Sequence, residues 1–137
     1  MDLAETLERA ERHLWSDERG SMEFVRLREG VGLLVMSGKL GDEAAKAWEL
    51  HFPWLLGRGQ VSLFMDGAGV TLPNAAFISA GTSLIKGVRP RLDALHVLVD
   101  GALLEMTAKT ANIALGGLMR ITRERNTFEA ELARALG

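Results

Sequence analysis

The chain reads as an α/β domain on a mixed sheet of about five strands: an N-terminal β-hairpin, then alternating helices and strands, behind one extra helix. Three observations predict this. Beyond residue 30, short apolar runs alternate with longer segments of helical apolar spacing. Single helices between strands require parallel crossovers. The first two strand-like runs are separated only by Glu29-Gly30, a break that suits a hairpin.

The opening segment has helical spacing. Asp2 and Glu5 stand as in a capping box, and Leu3, Leu7, Ala10 and Leu14 form one apolar stripe. Glu5–Arg9 and Glu8–Arg12 are favourable i,i+4 pairs. We expect an amphipathic helix over residues 1–18 and the main domain over 21–137. "MEFVRLRE" and "VGLLVMSG" are the hairpin strands; the second is apolar almost throughout, as a strand covered on both faces is. "GDEAAKAWELHF" is a helix capped by Asp42, which Pro53 should kink or end.

"QVSLFMD" is the third strand and "LPNAAFISAGTSLIKG" the next helix, with Pro73 near its first turn. "DALHVLVD" and "LMRIT" are the last two strands. Between them "ALLEMTAKTANIALGG" is a helix stopped by Gly116-Gly117. Asn126 with Glu129 predicts the cap of a final amphipathic helix.

The 137 residues make one domain of ordinary size. A net charge of −2 gives no general pull toward nucleic acid or an anionic membrane. The absence of cysteine excludes disulfides, thiol chemistry and cysteine zinc sites. No apolar run approaches a membrane span, and "MDLAETLERAERHLW" is too charged for a signal peptide. The expectation is a cytoplasmic protein with no cofactor, no metal, no nucleic-acid partner and no membrane insertion.

Little catalytic chemistry is legible. Asp66 and Asp100 end the third and fourth strands, where open α/β sheets place ligands. They could serve acid–base work or hold magnesium, but Asp in such turns commonly just accepts backbone N–H bonds. His13, His51 and His96 have no metal-ligand spacing. His96, inside an apolar strand, reads as a core histidine with satisfied nitrogens. Ser79 and Ser83 lack the nucleophile-elbow context. "GAGVTLPN" lacks both common phosphate-loop patterns, since Leu72 stands where a third glycine belongs. Lys86, Arg89 and Arg91 around Pro90 read as a solvated loop, and Trp15, Trp48 and Trp54 as packing residues on helices.

The element order, with "VSLFMDGAGVTLPNAAFISAG", resembles the STAS superfamily, the SpoIIAA-like domain of anti-sigma-factor antagonists, over roughly Met22 to Gly137. In that family the third strand ends in Asp, a turn with Val follows, and Asp-Ser-Ser-Gly opens the next helix. Asp66 and Val70 match the first two features, while Asn74, Ala75, Ala76 and Phe77 fall on the motif. The spacing is kept and the chemistry is changed.

The resemblance implies a non-enzymatic regulatory or scaffold module that docks a protein partner through Thr71, Asn74, Ala75, Ala76, Phe77 and Ser79. In the family, phosphorylation of the second serine releases the partner by adding charge to the interface. Ala76 has no hydroxyl, so that switch cannot operate there. Phe77 is either an exposed anchor or a core residue by its helical spacing. A homodimer through the opening helix is expected, or else packing of that helix on its own sheet. The alternatives are a small-molecule or lipid carrier or sensor of the related Sec14-like type, and an enzyme using Asp66 and Asp100.

Overall fold

The structure, a computed structural model, describes residues 2–137. It runs α1 (Leu3–Arg9), β1 (Glu11–Ser16), β2 (Gly20–Arg28), β3 (Val31–Leu40), α2 (Asp42–Leu56), β4 (Val61–Pro73), α3 (Ala75–Val88), β5 (Leu92–Leu98), α4 (Ala102–Ala114), β6 (Met119–Thr122) and α5 (Arg125–Leu136), with a 3-10 turn at Arg89–Arg91. The six strands lie in the sheet in chain order. β1, β2 and β3 pair antiparallel, and β3 to β6 pair parallel.

Strand alternation divides the apolar residues between two faces. Met22, Phe24, Leu34, Leu63, Met65, Leu95 and Val97 face α2, α3 and α4, with Trp48, Phe52, Phe77 and Ile85 of the helices. Val25, Leu27, Leu33, Phe64 and Leu98 face the other way, under α1 and α5, with Phe128 and Leu132. β3 contributes to both cores, as its continuous apolar run requires.

The largest departure from the sequence reading is at the start. The helix ends at Arg9, and residues 11–16 form an edge strand, so the sheet has six strands rather than five. Asp2 Oδ1 does accept from the Glu5 N–H, at 2.8 Å. But β1 pairs along β2 from Glu11↔Arg26 to Ser16↔Ser21. Its turn is held by Asp17 Oδ1, which accepts from the N–H groups of Arg19 and Gly20. Those two backbone donors hold the Asp17 carboxyl below its ordinary range. Non-local pairing thus overrides a short helical stripe. Leu3 and Leu7 pack onto their own sheet, while Leu14, now on an edge strand, is 67% exposed. Arg12 pairs with Glu23 of β2, not with Glu8.

Three boundaries also move. α2 is preceded by Gly41 as N-cap and passes through Pro53 to Leu56. Its last turn is kept because Leu55 and Leu56 are buried in the core, which outweighs one missing N–H bond. Pro73 ends β4, and Asn74 caps α3. α5 starts at Arg125 behind Glu124, ahead of the expected Asn126, because Arg125 reaches Asp66.

β1 is pinned to α2 by a histidine pair. The Nδ1 atoms of His13 and His51 lie 3.0 Å apart, so one donates and the other accepts. His13 stacks on Trp54 at 3.7 Å between centroids, with the Arg26 guanidinium over the same indole at 4.7 Å. Burial, then the neighbouring His13, push the His51 pKa down; burial, then Arg120, do the same for His96. Each ring is therefore neutral in the fold at a pH where the unfolded chain already takes up a proton. Their contribution is present above the unfolded histidine value, about 6.5, and is lost as pH falls below it. Urea midpoints should be lower at about pH 5 than at about pH 7, and the fall should be shallower in His51→Gln. An identical fall in that variant would rule His51 out as a source.

Candidate docking surface

β4 does not stop at Asp66. It continues seven residues to Pro73, paired with β3 as far as Leu40↔Pro73. Gly67 and Gly69 fit this extension, since a Cβ at either would meet Leu98 O at 3.1 Å or Ser37 Oγ at 3.0 Å. The stretch expected to be a turn is therefore strand, and it carries the chain to the carboxyl edge of the sheet. There Asn74 turns it into α3: its N–H donates to Leu40 O at 2.9 Å, and its Oδ1 accepts from the Phe77 N–H at 2.8 Å. Gly41 lets Asn74 come close, because a Cβ there would lie 3.0 Å from Asn74 Nδ2.

Thr71, Leu72, Asn74, Ala75, Ala76 and Ser79 are all exposed around this corner. Leu72, 57% exposed, is its apolar centre. Beside it opens a cleft of about 470 Å³ lined by Asp17, Arg19, Lys39, Asp42, Glu43 and Leu72, among others. Among the described residues, Arg19 and Lys39 have no side-chain ion-pair partner, while Glu43 pairs with Lys46 at 3.1 Å. An apolar centre with a charged rim is the anatomy of a protein interface.

Phe77 does not belong to this surface. It is 4% exposed and packs in the core against Trp48, with ring centroids 5.1 Å apart. The i, i+4, i+8 spacing of Phe77, Gly81 and Ile85, all buried, puts it on the inner face of α3. Leu72, which in the sequence stands out only as a missing glycine, extends the strand run beyond Asp66.

The two acids stand in different surroundings. Asp66 sits within β4 on the α5 side, where Arg125 grips both carboxylate oxygens at 3.1 and 3.2 Å. That hydrogen bond raises the Arg125 pKa. Asp66 Oδ1 also accepts from the Ala68 N–H. Asp100 is exposed in the turn before α4. No group of three metal-ligating side chains occurs among the described residues. Arg91 is a structural cation, donating to the carbonyls of Gly57 and Gly59, while Trp15 lies on β1 rather than on a helix.

Two further apolar features bear on function. Leu103, Met106 and Ile113 are exposed along α4. A crevice of about 110 Å³ between α3 and α4 is lined by Met36, Phe77, Ile78, Leu104 and Ala108, among others. No helix among the described residues is long and apolar enough to cross a membrane.

No family model matches the chain, and no curated protein matches it. Among solved structures it is similar to an uncharacterized protein of the DUF3478 family from Shewanella loihica PV-4, described as having a SpoIIAA-like fold. The likeness covers 90% of this chain and 93% of that one, at a TM-score of 0.60 and 11% identity. The fold of this chain is thus SpoIIAA-like, with six strands in its sheet.

Proposed function

We propose that the chain is a non-enzymatic, cytoplasmic STAS-like regulatory or scaffold module that binds a protein partner through the corner where β4 enters α3. The observation that carries this reading is that Leu72 and Asn74, next in sequence to the exposed Ala75 and Ala76, line the charged cleft of Arg19 and Lys39 at the carboxyl edge of the parallel strands. The exposed stripe of Leu103, Met106 and Ile113 on α4 is apolar too, but none of the three lines the crevice against α3. With Ala76 at the switch position, docking is independent of phosphorylation there.

The second reading, a small-molecule or lipid carrier of the Sec14-like type, draws on the crevice between α3 and α4. Its 110 Å³ falls far below the roughly 300–1,000 Å³ of sites that enclose a drug-sized ligand, and a lipid needs at least as much, so the docking reading is preferred.

A photo-crosslinking side chain placed at Ala76 in cells of the native organism tests the docking reading. It should give one discrete adduct, and the same group at Leu50, exposed on α2, should not. No adduct from position 76, or equal adducts from both, would contradict it.

A further inference from the structure

His96 is the one buried polar residue of the core, 7% exposed, and no hydrogen bond to either ring nitrogen is present among the described residues. Its ring lies flat on Phe64, with centroids 4.6 Å apart and planes 4° from parallel. Phe128 of α5 meets that phenylalanine edge-on at 5.7 Å, so packing rather than a hydrogen bond orients the imidazole. Its ring nitrogens are not sealed in the core, as Arg26 Nε and Trp48 Nε1 are, but open onto the cleft beside it.

The ring borders a cleft of about 270 Å³ under α5, lined by Arg120, Thr122, Thr127, Phe128 and Glu131 as well. Its volume is roughly nine times the share of one liquid water. Arg120 is the parallel-register neighbour of His96 on β6, so the two side chains rise from adjacent strands on one face. Arg120 is exposed and has no ion pair or hydrogen bond among the described residues. The other polar groups are partly engaged. Glu131 accepts from Arg134 at 2.7 Å, Thr127 Oγ1 donates to Glu124, and Thr122 Oγ1 accepts from the Glu124 N–H. The positive and aromatic-nitrogen donors without a partner among the described residues are one guanidinium and one imidazole on adjacent strands, with a Glu131 oxygen and the Thr122 hydroxyl hydrogen also free.

We propose that this cleft binds a small 2-oxo or 2-hydroxy monocarboxylate, with Arg120 pairing the carboxylate and His96 hydrogen-bonding the adjacent oxygen. Arg offers a planar fork that fits a carboxylate in two parallel bonds. Burial and Arg120 keep the imidazole neutral, so it brings hydrogen bonding without a second positive charge. With one cation and the nearby Glu131 carboxylate, the site suits a monoanion over a phosphate dianion. Phe128 supplies an apolar wall for the short carbon chain. The cleft lies on the sheet face opposite α3, so its failure would leave the docking reading untouched.

The test follows the His96 ring resonances of the full chain by NMR during titration with pyruvate at millimolar concentrations. A saturable shift is expected, with the dissociation constant raised at least tenfold in Arg120→Gln. Methyl pyruvate, which has the oxo group but no charge, should give no saturable shift. Arg120 is exposed, so its variant should fold normally. The absence of a saturable shift with pyruvate would overturn the proposal, as would an undiminished affinity in Arg120→Gln or equal binding of the ester.

Discussion

Phe77→Ala should lose roughly 3–5 kcal/mol of stability, the cost of truncating a core phenylalanine. The ring is 4% exposed and belongs to the cluster of Trp48, Met65 and Ile85 that seats α3 on the sheet. Its removal leaves a void beneath the first turn of the helix, where Asn74 and the N-cap bond set the position of the exposed corner. The denaturant midpoint of the purified variant reads this directly. A loss below about 1 kcal/mol would mean that the ring faces solvent, and would return it to the docking surface as an anchor.

The second large effect is at Gly81. A Cβ added there would stand 2.2 Å from Trp48 Cζ3 and 2.4 Å from its Cη2. The indole is itself buried, so it cannot swing aside as a surface side chain would. Gly81→Ala should therefore destabilise by about 1–3 kcal/mol through overpacking, although alanine is the better helix former. Gly87 is the internal control. It lies in the same helix, a Cβ there meets nothing within 4 Å, and Gly87→Ala should gain up to about 1 kcal/mol. The two substitutions are chemically identical, so opposite signs isolate the α2–α3 contact. A gain at both positions would show that this contact is looser than the packing of Trp48 implies.

The sequence carries the α/β alternation because period-2 and helical spacings are local signals. β3 and the Glu29-Gly30 turn are legible for that reason, and so are the glycines after α4. β1 is not, because Leu3, Leu7, Ala10 and Leu14 satisfy a helical stripe while the inward alternation of His13 and Trp15 answers to β2, a partner no local window contains. The extension of β4 beyond Asp66 is hidden likewise: Gly67 and Gly69 read as a turn until strand β3 and Leu98 are seen to lie against them. For the candidate site, the spacing resemblance placed Thr71, Asn74, Ala75, Ala76 and Ser79 on a common exposed corner. It could not tell that Phe77 points inward, since both faces of α3 carry apolar residues. The Asp66–Arg125 pair joins residues 59 positions apart, and the His96–Arg120 neighbourhood depends on a parallel register; neither leaves a local trace.

The docking reading stands most directly on Leu72, the apolar centre of the corner, and on the partner recovered by crosslinking at Ala76. Leu72→Asp puts a charge at a side chain 57% exposed, so stability should stay within about 1 kcal/mol of the parent. Affinity for that partner, measured by calorimetry beside the unfolding midpoint, should weaken by about 2 kcal/mol or more, some thirtyfold. Unchanged affinity in a variant that is folded and equally stable would contradict the assignment of this corner as the binding surface.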